Sequence, residues 1–149
     1  MSPETKTKVV AMIVGSAIIM QQIDSTVITT ALPQMAISLH ADPVQLSLAV
    51  TAYLLSLAIF VPISGWAADR FGGRVIFRAA IGLFTLGSIL CGLSGNLIEL
   101  TAARVLQGLG GAMMVPVGRL VLFRSVEKTA LIATMAYLQV PAQLGPVLG

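Results

Sequence analysis

Five long stretches of this chain contain no Asp, Glu, Lys or Arg: residues 9–23, 43–68, 79–98, 105–118 and 129–149. A helix needs about 20 mostly apolar residues to cross the hydrocarbon core of a bilayer. The second, third and fifth stretches reach that length alone. The first reaches it by continuing through Asp24 toward Thr30, and the fourth by starting near Leu100 and taking in Arg104. Helix is expected in each because lipid offers backbone groups no hydrogen-bond partner, so a lone segment must satisfy its own. Spans are therefore predicted over about 9–30, 45–67, 75–95, 100–121 and 129–149, an all-α integral membrane protein in a single membrane domain. Charged residues make up only 10% of the 149, against roughly a quarter in a soluble globular domain, so most of the surface must face lipid. A single cysteine, Cys91, excludes a disulfide scaffold.

The polar joints alternate in charge. Lys6 and Lys8 precede the first span, Arg70, Arg74 and Arg78 surround the second joint, and Arg119, Arg124 and Lys128 surround the fourth. The joints over 33–45 and 94–99 carry no Lys or Arg. The positive-inside bias then puts the N-terminus in the cytoplasm. The basic residues are topogenic, and no nucleic-acid partner is expected. So one-sided a distribution also argues against a dual-topology exporter, whose two insertions need balanced charge. A basic start followed by an apolar stretch also resembles a signal peptide, with Thr29, Thr30 and Ala31 as small residues beyond it; the polar block 21–26 weighs against cleavage there.

Asp24 and Arg104 are the ionisable groups inside the predicted spans, each costing about 2.5–3.5 kcal/mol at a helix centre. Counted from Val10, Asp24 lies about 21 Å into the first span at 1.5 Å per residue, about 9 Å short of the outer boundary. Counted from Glu99, Arg104 lies about 7 Å below that same boundary. Equal depth allows an ion pair; snorkelling of both side chains to the outer interface is the plainer alternative. Gln21, Asp24 and Ser25 share one helical stripe, with Gln22, Thr26 and Thr29 beside it, a polar side that lipid would not accept. Arg104, Gln107, Gly108 and Gly111 fall at i, i+3, i+4, i+7, which puts charge, amide and glycine on one side of the fourth span. Close helix packing accounts for Gly108, Gly110 and Gly111 taken singly.

The joint Gly65 to Arg74 is expected to reverse the chain in about eight residues, Gly72 and Gly73 supplying positive φ. Asp69 there either braces a basic partner such as Arg119 or Arg124, or belongs to a solvated turn whose arginines set topology. Pro141 and Pro146 should kink the fifth span, and Gly145 with Gly149 forms a close-packing stripe.

Taken together these segments resemble the major facilitator superfamily, and within it the fourteen-helix drug:proton antiporters. Residues 24–33 look like the first-helix motif of that branch, with Thr29 where Asn is usual. Residues 65–74 resemble its signature loop, with Ala67 in place of Leu and Gly73 in place of a basic residue. Arg104, Gln107, Gly108, Gly110 and Ala112 match the fourth-helix pattern, and Gly145, Pro146 and Gly149 are similar to the fifth-helix antiporter motif, although Pro141 replaces its first Gly.

The resemblance implies five helices of an incomplete N-terminal six-helix half, in a bacterial inner membrane. It implies export of amphipathic or cationic compounds against protons. Proton coupling and the substrate cavity would fall on Asp24, Arg104, Gln107, Gln21 and Thr26. A cytoplasmic latch would fall on Gly65, Asp69, Arg70, Gly72 and Arg74, and helix packing on Gly108, Gly111, Gly145, Pro146 and Gly149. A complete member rocks one half against the other, so this polypeptide alone, without its C-terminal half, is expected to be inactive. No phosphate loop, metal-ligand cluster or credible nucleophile occurs, so neither enzyme chemistry nor a cofactor is expected; Cys91 reads as a packing residue and His40 as an exposed loop residue. A non-transporting membrane interaction or regulatory protein, and a symporter or uniporter of the same superfamily, stand as alternatives.

Overall fold

The computed structural model describes residues 3–125. They form four helices, α1 (Pro3–Ser38), α2 (Pro43–Phe71), α3 (Gly73–Leu93) and α4 (Leu97–Ser125). All four are long and apolar enough to cross a membrane. The expected fifth span, with Lys128, Gly145, Pro146 and Gly149, lies outside the described residues.

Short connections force the helices to run up and down. α1 continues through Pro33, five residues beyond the point where a joint was expected, because an internal proline forfeits one helix hydrogen bond while the following residues keep theirs. It ends in a Schellman motif: His40 takes φ 47°, its N–H donates to the Ile37 carbonyl at 3.3 Å, and the Ala41 N–H reaches back to the Ala36 carbonyl at 3.1 Å. α2 opens on a capping box. The Asp42 carboxylate accepts from the Val44 N–H at 3.0 Å, and the Asp42 N–H donates to Gln45 Oε1 at 3.3 Å.

The second reversal is tighter than its sequence suggests. Gly72 alone separates α2 from α3, at φ 90° and ψ 129°, and Gly73 is already helical. The Gly72 N–H ends α2 on the Ala68 carbonyl, and its own carbonyl accepts from Val75 and Ile76 to start α3. An eight-residue turn is unnecessary because one residue in a glycine-only conformation makes the whole change of direction. At the third joint Asn96 Oδ1 caps the Glu99 N–H at 2.9 Å, and Glu99 returns its carboxylate to the Gly95 N–H at 2.9 Å.

α4 is the centre of the group. Of its most apolar stretch 56% is buried, against 17–22% in the other three helices. It lies antiparallel to α1, since Thr7 bonds the Ser125 carbonyl near one end and Asp24 meets Arg104 near the other. Val14, Ala17, Phe77, Phe84, Met114 and Val117 belong to the larger apolar cluster; Leu46, Ala49 and Leu100 form a smaller one toward the His40 end. Outside both, large side chains such as Leu48, Leu55 and Ile59 are exposed, as a lipid-facing surface requires.

Candidate functional site

Between the two apolar clusters lies a polar layer built on α1 and α4. Arg104 Nη1 donates to Asp24 Oδ2 at 2.9 Å, and Gln107 Nε2 donates to Asp24 Oδ1 at 2.7 Å. One carboxylate can take both because residues three apart on α4 project from the same side. Arg104 is only 4% exposed and Gln107 is fully enclosed, while the Asp24 side chain keeps 14% of its surface. The charged pair is thus largely enclosed, its anion less completely than its cation.

Neighbouring helices complete the layer. Cys91 of α3 directs its thiol to Gln107 Oε1 at 3.6 Å, so the amide is engaged at both ends. The Arg104 guanidinium lies 5.7 Å from the centre of the Tyr53 ring on α2, within cation–π range. Gln21 of α1 donates to the Tyr53 hydroxyl at 3.3 Å. Two buried atoms, Gln21 Oε1 and Arg104 Nε, have no hydrogen-bond partner among the described residues.

Sequence reasoning did not identify Tyr53 as part of this layer. The available signal was a phenol in the middle of an apolar span, whose hydroxyl needs a partner there. Cys91 was read as packing and is in addition a donor to the layer. Thr26 lies on the expected side of α1, but its hydroxyl returns to the Gln22 carbonyl at 3.0 Å and does not join the Asp24 bonds.

Glycines bring the polar groups within reach. A Cβ on Gly108 would stand 2.6 Å from Ser56 Cβ and 2.8 Å from the Tyr53 carbonyl on α2. A Cβ on Gly110 would stand 2.6 Å from the Phe84 nitrogen on α3. α4 therefore touches backbone on two sides, and Ser56 Oγ closes the α2 side with a 2.9 Å bond to the Val105 carbonyl. Gly111 is looser: its nearest neighbours are Gln21 Nε2 and the Tyr53 hydroxyl, both at 3.3 Å. Gly87 of α3, unremarked in the sequence, is as tight as Gly108, since a Cβ there would lie 2.8 Å from Gln107 Cβ.

Within the 65–74 loop the five expected latch residues do not gather on one another. Asp69 accepts from Arg124 Nη2 of α4 at 3.2 Å, in a pair whose side chains are both more than half exposed. Arg70 sits 5.9 Å from the rings of Trp66 and Phe71, which meet edge to face at 6.1 Å. Gly65 has no neighbour within 4 Å of a Cβ position, so nothing among the described residues packs on it. Arg74 is exposed and points toward α1, where it borders a groove with Lys6 and Arg78.

The sequence profile of the Major Facilitator Superfamily matches residues 14–149. The chain belongs to that superfamily, which consists of integral membrane transporters and not of enzymes. It is 52% identical over 137 residues to the Salmonella dublin protein named "Putative multidrug resistance protein MdtD", an alignment covering 92% of this chain and 29% of that relative. Proteins of the same name from Salmonella paratyphi B and Salmonella typhi are 51% identical over the same shares. The chain spans about three-tenths of the length of these curated relatives.

Proposed function

We propose that this chain supplies the N-terminal helices of a proton-coupled exporter of amphipathic or cationic compounds. The membrane would be the bacterial cytoplasmic membrane, with the N-terminus inside. Its relatives' names support the substrate class, and the one-sided distribution of Lys and Arg supports the orientation. The observation that carries the reading is the Asp24–Arg104 contact, in which the anion keeps 14% of its side-chain surface exposed and the cation 5%.

That asymmetry supports proton coupling at this pair. While Asp24 is ionised the pair is neutral and Arg104 is stable in its buried position. A proton on Asp24 removes that compensation and strands a guanidinium among α2, α3 and α4. At about 4 Å between charge centres and an effective dielectric near 20, the lost attraction is about 4 kcal/mol. That is close to a thousandfold change in a two-state equilibrium, enough to move a transporter between inward-open and outward-open forms. Gln107 holds the second carboxylate oxygen and so keeps Asp24 aimed at Arg104, while Gln21 and Thr26 extend the polar wall of the passage along α1.

A second half of the family's kind would close the passage on the α1 and α4 side. The 65–74 loop fits a latch against it. Asp69 is tied to Arg124 within this half, whereas the open space over Gly65 leaves room for another helix to approach. Gly145, Pro146 and Gly149 would extend the close packing along a fifth helix.

The test is efflux of a lipophilic cationic dye by the full-length transporter in inverted membrane vesicles energised with a proton gradient. Asp24→Asn and Arg104→Ala are each expected to abolish the gradient-dependent component. Full efflux in both variants, or efflux indifferent to collapse of the gradient, would reject the mechanism.

A further inference from the structure

At the opposite end of the bundle from Asp24, α1, α3 and α4 enclose an open groove of about 470 Å³. Its mouth carries three cations, Lys6 from α1 and Arg74 and Arg78 from α3. The rest of the lining is apolar, with Val10 and Ile13 on α1, Phe77 and Ile81 on α3, and Val121 on α4. Among the described residues no acidic residue lines the groove, and no carboxylate is paired with any of the three cations. Of the exposed basic residues elsewhere, Arg124 is held by Asp69, while Lys8, Arg70 and Arg119 have no carboxylate partner among the described residues; what sets the three groove cations apart is that they share one apolar-walled mouth.

The order of these residues along each helix matters. On α1 the cation at position 6 is followed one and two turns deeper by Val10 and Ile13. On α3 Arg74 and Arg78 are followed by Ile81. Positive charge at the mouth therefore leads to an apolar wall ending in Ile13 and Ile81, which complements an amphiphile with a negative head and an apolar tail.

We propose that this groove is a binding site for an anionic phospholipid, the phosphate group seated among Lys6, Arg74 and Arg78 and an acyl chain lying against Ile13, Phe77 and Ile81. Basic pockets between membrane helices at the cytoplasmic side recognise anionic headgroups by this combination. The site is separate from the Asp24 layer and needs only that the helices span a bilayer, so it stands or falls independently of proton coupling.

The full chain, reconstituted in vesicles of phosphatidylcholine, would receive a small fraction of phosphatidylglycerol carrying a diazirine in its acyl chain. After illumination, labelled peptides are mapped by mass spectrometry. The α2 face around Leu55 and Ile59 serves as the reference, because it is exposed and apolar but carries no cation. Labelling around Ile13 and Ile81 is expected to exceed that reference with the phosphatidylglycerol probe and to match it with a phosphatidylcholine probe. Lys6→Gln and Arg78→Gln should each lower the excess about fivefold, the effect of one basic residue near an anionic headgroup. Arg78→Lys should preserve it. Equal labelling by the two probes, an excess unchanged in both Gln variants, or a groove closed to lipid by another segment of the protein would each overturn the proposal.

Discussion

Asp24→Asn and Arg104→Gln, made singly and together, should be strongly non-additive in stability. Asp24→Asn keeps a side chain of the same shape but leaves the enclosed guanidinium without its anion. Breaking a buried pair in this way costs about 3–5 kcal/mol, and the 14% exposure of Asp24 places this case near the lower figure, since water partly replaces the carboxylate. Arg104→Gln leaves Asp24 with its 2.7 Å bond from Gln107 and access to water, so only one charge-assisted bond is lost, about 2 kcal/mol. In the double variant the two amides can bond each other and no charge is stranded, at a cost of about 1–2 kcal/mol. The coupling is then about 3 kcal/mol, the upper end for residues in contact. Equilibrium unfolding of the four proteins in mixed micelles of dodecyl sulfate and a mild detergent measures it. Ordinary polar contacts inside membranes couple by about 0.6 kcal/mol. A result at or below that value would refute the idea that Arg104 depends on Asp24 for its charge.

Other expectations follow from the packing and the joints. Gly110→Ala should destabilise by about 1–3 kcal/mol, because its Cβ meets α3 backbone, whereas Gly92→Ala, with open space around it, should be neutral or stabilising in the same unfolding assay. Gly72→Ala should cost about 1–3 kcal/mol by forcing a side chain into a glycine-only conformation. Asp69→Asn should change thermal stability by less than about 1 kcal/mol, since its pair with Arg124 is exposed, while lowering dye efflux by the full-length transporter if the loop is a latch. In a Cys91→Ala background, Ser38→Cys and Asn96→Cys should react with a membrane-impermeant maleimide from outside intact cells, and Gly72→Cys should not.

That Asp24 and Arg104 could meet was legible from helix rise alone, because counting residues along two antiparallel helices measures position along their common axis. Position within the membrane plane was not. It depends on Gly108 and Gly110 admitting backbone from α2 and α3, and a run such as Leu-Gly-Gly does not say which neighbour each glycine will meet. Tyr53 was hidden for the same reason: its place beside Arg104 arises from the packing of α2 on α4, and its sequence surroundings are apolar but for the small hydroxyls of Thr51 and Ser56 and carry no charge. The joints were legible as places and not as lengths. Pro33 suggested an end because proline removes a donor, yet α1 continues for another turn until His40 can adopt the left-handed conformation. At Gly72 a single residue makes a reversal that two adjacent glycines and several charges suggested would be longer.

Cation-driven proton movement decides whether Asp24 is the proton carrier. The full-length transporter, reconstituted in liposomes suspended in weakly buffered solution with a pH-sensitive dye, is given an inward gradient of a lipophilic cation. Wild type should exchange the cation for protons and acidify the outer solution, and Asp24→Asn, which has no carboxyl group to carry a proton, should not. Equal acidification by the two proteins would place the coupled proton elsewhere and contradict the role assigned to the Asp24–Arg104 pair.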